Sequence, residues 1–67
     1  MRIVKVIEVI ATSDKGFTEA THNAVEQASK TVKNITSVEV KEMHARVENQ
    51  KIVSYTVHAK ISFEVND

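Results

Sequence analysis

The last third of the chain alternates strictly. From Val53 to Val65 every odd-numbered residue is apolar (Val53, Tyr55, Val57, Ala59, Ile61, Phe63, Val65) and every even-numbered one is polar (Ser54, Thr56, His58, Lys60, Ser62, Glu64). A period of two belongs to a strand with one buried and one wet face. At about 3.3 Å per residue such a segment spans about 43 Å, more than twice the ~17–20 Å of an ordinary strand. A chain of 67 residues has little left to cover so long a sheet, so the pattern predicts contact between copies.

Length sets the other bound. Residues 1–67 make one domain, near the lower limit for folding alone. Small chains usually lean on a disulfide, a metal or a partner subunit, and the absence of cysteine removes the first. Nine basic and nine acidic residues cancel and are interspersed, so the charge footprint of a nucleic-acid binder is missing. No apolar run approaches the ~20 residues of a membrane span, and Met1 to Ile10 is too short and too charged for a signal peptide. A cytoplasmic protein with no membrane or nucleic-acid partner is expected.

Ahead of the long strand, Arg2 to Ile10 (RIVKVIEVI) is rich in β-branched residues and predicts a first strand. Its apolar residues fall on both faces: Ile3, Ile7 and Val9 on one, Val4, Val6 and Ile10 on the other. A strand buried on both sides again asks for a covering subunit. Thr12-Ser13-Asp14 offers a helix start with Ser13 as the capping acceptor. Phe17, Ala20, Ala24, Val25, Ala28 and Val32 are spaced by threes and fours, which predicts a helix over 17–32 of about 24 Å. Lys30 and Lys33 suit its last turn, and Asn34 a left-handed stop.

Ile35 to Glu48 predicts a further strand whose apolar phase slips, with Val38 and Val40 even but Met43, Ala45 and Val47 odd. One inserted residue near Lys41-Glu42 reconciles them, as a β-bulge does. Glu48-Asn49-Gln50-Lys51 is a polar turn, so the last two strands form a hairpin. The expected fold is α+β in the order β-α-β-β, with a three-stranded antiparallel sheet curled around one helix and the last strand in the middle.

A turn centred on Asn49 to Lys51 makes paired residue numbers sum to about 100. Glu42 then faces His58, and His44 faces Thr56, on one polar face. These residues (Glu42, His44, His58) are the candidate metal ligands, although no tight spacing such as His-x-x-x-His supports them. A solvated Glu–His pair is the simpler reading. Glu39, Glu42, Glu48, Glu64 and Asp67 supply oxygen ligands of the kind calcium takes. The interleaved Lys41, Arg46 and Lys60 favour cross-strand ion pairs instead. Arg46 is a candidate for a ligand phosphate, and His22 reads as a surface residue on the polar helix face. There is no cysteine nucleophile, no serine with a recognisable base and acid, and one glycine (Gly16), too few for a glycine-rich phosphate loop. An enzyme is not expected.

Several stretches together resemble the dodecins, small proteins of this length. They are Val4-Lys5-Val6-Ile7-Glu8-Val9-Ile10, then Ala11-Thr12-Ser13 where that family usually has Gly-Thr-Ser, Phe17 to Val32, Asn34-Ile35, Val38-Glu39-Val40, Tyr55 and Ser62-Phe63-Glu64-Val65. The resemblance implies a hollow homododecamer built from trimers and a role in binding or storing a small ligand, without catalysis. The ligand class it implies is a flavin (FMN or riboflavin), stacked between subunits on a tryptophan of the second strand and hydrogen-bonded by a glutamine of the third. This chain has Ser37 at the tryptophan position and Thr56 at the glutamine position. The resemblance therefore implies a ligand near Ser37, Glu39, Arg46, Thr56 and His58. The alternative is a shell without flavin that binds divalent cations such as calcium, or acts as a structural oligomer.

Overall fold

The computed structural model describes residues 2–65. Its elements are β1 (Ile3–Ser13), α1 (Phe17–Ala28), β2 (Ile35–Glu48) and β3 (Lys51–Val65). The strands form one sheet in the order β1-β3-β2, and both pairings are antiparallel. The alternating segment is thus the central strand, paired on both edges. β1 runs three residues beyond its expected end because β3 still offers partners there, down to Ser13 opposite Tyr55. β2 slips register between Val40 and Glu42, with Lys41 the inserted residue; further shifts fall at Ile35/Ser37 and Arg46/Val47.

The helix lies across one face of the sheet through three alanines, Ala20, Ala24 and Ala28, all buried. Small side chains let its backbone approach closely, and Val57, Ala59 and Ile61 of β3 are fully enclosed beneath it. Ile61 joins Ala24 and Ala28 in a core flanked by Ile7, Val9, Ala11, Ile35 and Val38. Phe17, at the start of α1, meets Tyr55 edge-on with ring centroids 5.1 Å apart.

Two local expectations are corrected. Ser13 does not cap the helix: it ends β1, and its hydroxyl accepts a hydrogen bond from the Lys15 backbone N–H at 3.0 Å, while Gly16 occupies the cap position without a side-chain bond. The helix also ends at Ala28 rather than Val32, at about 18 Å for its twelve residues. The chain then tightens, with the N–H of Lys30 bonded to the Gln27 carbonyl and that of Thr31 to the Ala28 carbonyl. Such three-residue closure, followed by β-branched Thr31 and Val32, ends helical propagation. Asn34 is left-handed (φ 64°), as expected, and its carbonyl accepts the Glu64 N–H at 3.0 Å.

The hairpin turn has positive φ at both central residues, Asn49 (53°) and Gln50 (68°). That is a type I′ turn, which matches the twist of the flanking strands. Asparagine tolerates this region; glutamine is strained there by about 1 kcal/mol or more. Gln50→Gly should raise stability by about 1 kcal/mol, seen as a thermal midpoint higher by about 4–8 °C. An unchanged or lower midpoint would mean that Gln50 is held by contacts the glycine cannot replace.

α1 starts over Tyr55, so the hairpin projects beyond it without a layer on either side. Val47 (60 % exposed), Ile52 (52 %) and Val53 (39 %) are open in this projecting part, and Met43 (60 %), opposite Val57, is open on β2 just before it. On the face of β1 turned away from the helix, Val4, Val6 and Ile10 are open as well. The molecule is accordingly long and thin, 53 × 19 × 13 Å.

Candidate functional site

Because successive side chains of a strand point to opposite faces, burying Val57, Ala59 and Ile61 under the helix turns Thr56, His58 and Lys60 outward. The register then sets out the outer face in rows across β1, β3 and β2. Glu8, Lys60 and Glu39 form one row; Ile10, His58 and Glu42 the next; Thr12, Thr56 and His44 the third. Ser54 and Arg46 form a fourth, where β1 has ended. All the candidate residues of the sequence analysis that lie among the described residues share this polar face. Asp67 lies outside them.

His58 is the centre of the second row. Its Nδ1 lies 3.4 Å from Glu42 Oε1, the pair expected from the hairpin register. Its Nε2 lies 2.9 Å from Glu8 Oε1, which the sequence analysis did not foresee. One imidazole thereby joins all three strands. Ionised carboxylates only accept hydrogen bonds, so both contacts are satisfied together by an imidazolium, whereas a neutral ring donates to one. Lys41, the bulge residue, brings Nζ to 3.7 Å from the same Glu8 oxygen. The bulge thus adds a compensating cation beside the two carboxylates.

The third and fourth rows form a hollow lined by Thr12, His44, Ala45, Arg46, Ser54 and Thr56. The Thr12 and Thr56 hydroxyls are hydrogen-bonded to each other at 3.1 Å across β1 and β3. Arg46 Nη2 pairs with Glu48 Oε2 at 2.8 Å. Ion pairing therefore occurs along a strand as well as across strands, and Arg2 with Glu64 at 3.3 Å adds an edge pair.

Some residues are not brought together. His44 stands opposite Thr56, not Glu42, and among the described residues no group of three or more His, Cys, Asp or Glu side chains is arranged to hold a metal ion. Ser37 pairs with Ser62, whereas Thr56 lies six residues further along β3. Those two positions are therefore about 20 Å apart within one chain. Glu8, Thr12, Lys41 and Ser54 are the additions. Glu8 did carry a signal: it is the one acid among the outward residues Val4, Val6 and Ile10 of an otherwise apolar strand face.

A family model described as Dodecin matches residues 3–66. Among solved structures, the chain is similar to an arginine-to-alanine variant of the Thermus thermophilus dodecin, with a TM-score of 0.94, 25 % identity and full coverage of both chains. It is also similar to the Streptomyces coelicolor dodecin, with a TM-score of 0.92, 29 % identity and coverage of 98 % of this chain and 94 % of that one. A third is the calcium-chelating calcium dodecin of Mycobacterium tuberculosis, with a TM-score of 0.81, 28 % identity and coverage of 96 % and 91 %. Comparison with curated proteins gave no match. No helix among the described residues is long and apolar enough to cross a membrane.

Proposed function

The chain belongs to the dodecin family, and from that premise we propose that it is a self-assembling, non-catalytic protein of the cytoplasm that holds a small ligand on the outer face of its sheet, between copies. The observation that carries this reading is the separation of Ser37 from Thr56. Two halves of one ligand site that lie about 20 Å apart in a chain meet only when different copies supply them. The open apolar side chains of the hairpin and of β1 support assembly into the homododecamer of the family. Storage then follows from enclosure: a closed shell keeps bound ligand from solvent and concentrates it.

The ligand this chain is suited to is not a stacked flavin. Serine at 37 offers no aromatic face, and Tyr55 belongs to the helix side of the sheet, where it packs on Phe17. Aromatic stacking contributes about 0.5–1.5 kcal/mol per pair beyond the area it buries. Ser37→Trp combined with Thr56→Gln should therefore tighten riboflavin binding at least about tenfold, which is ~1.4 kcal/mol, read as quenching of riboflavin fluorescence against an unquenched native protein. An assembled double variant that leaves the fluorescence unchanged would contradict this placement of the ligand.

A second reading, divalent-cation binding, is favoured by the likeness to the calcium dodecin; since no group of three ligands is assembled among the described residues of one chain, different copies would have to supply them. On that reading a chelator lowers the thermal midpoint of the assembled protein and calcium restores it; on the first reading neither changes it.

A further inference from the structure

We draw no further inference here: the strongest candidate, the groove between α1 and β1 lined by Ile7, Val9, Ala11, Asn23 and Gln27, carries nothing, because nothing in the structure shows what covers it.

Discussion

Ile61→Ala should destabilise the protein by about 3 kcal/mol, within the ~2–5 kcal/mol range for emptying an isoleucine site in a packed core. Ile61 is fully enclosed at the middle of the central strand and meets the two alanines, Ala24 and Ala28, through which the helix docks. Alanine side chains have no length with which to fill the space left behind, so the cavity term is not relieved by repacking from the helix side. From the sheet side the partly buried Ile7, Val9, Ala11, Ile35 and Val38 border this cluster. A chain of this size has a total stability of roughly 3–10 kcal/mol, so the loss removes a large share of it. Thermal unfolding at fixed protein concentration should show a midpoint lower by more than about 10 °C. A shift of only a degree or two would mean that the helix is not seated on this residue.

The second large effect concerns assembly rather than the core. Met43, opposite Val57, and Val47, on the projecting hairpin, are each 60 % exposed in the single chain. Asp at both positions should leave the fold of one chain intact, because neither side chain supports its core. Between copies the same side chains would bury two unpaired charges, and each costs several kcal/mol when taken out of water without a partner. Assembly should weaken by at least about a hundredfold while the circular dichroism of the sheet and helix persists. Retention of the native assembly by the double aspartate variant would show that the hairpin is not an interface.

Much of this architecture is legible in the residues. The alternation from Val53 to Val65 identifies the central strand because only a strand with one wet face produces it. The phase slip at Lys41 locates the bulge, since a single inserted residue is the smallest change that moves Met43 and Val47 onto the face of Val38 and Val40. The register that follows pairs Glu42 with His58 and His44 with Thr56, as found. Contacts that depend on distant pairing are less visible. Glu8 meets His58 across fifty residues of sequence, and the hairpin sum says nothing about where β1 aligns on β3. The early end of the helix at Ala28 reflects competition between an apolar period that continues to Val32 and β-branched residues that resist helical closure. Ser13 reads as a cap because its residue type suits one; the extension of β1 claims it first. The distance between Ser37 and Thr56 follows from the same register, yet its meaning for the ligand site emerges only when one chain is seen to be unable to bring them together.

Native mass spectrometry of the protein, run beside the Met43 and Val47 aspartate variant, tests the central claim that this long, half-covered sheet is completed by its own copies. The account predicts a mass about twelve times the 7.5 kDa of the chain for the native protein, plus any ligand retained between copies, and smaller species for the variant. A native protein that remains a monomer at micromolar concentration would contradict it.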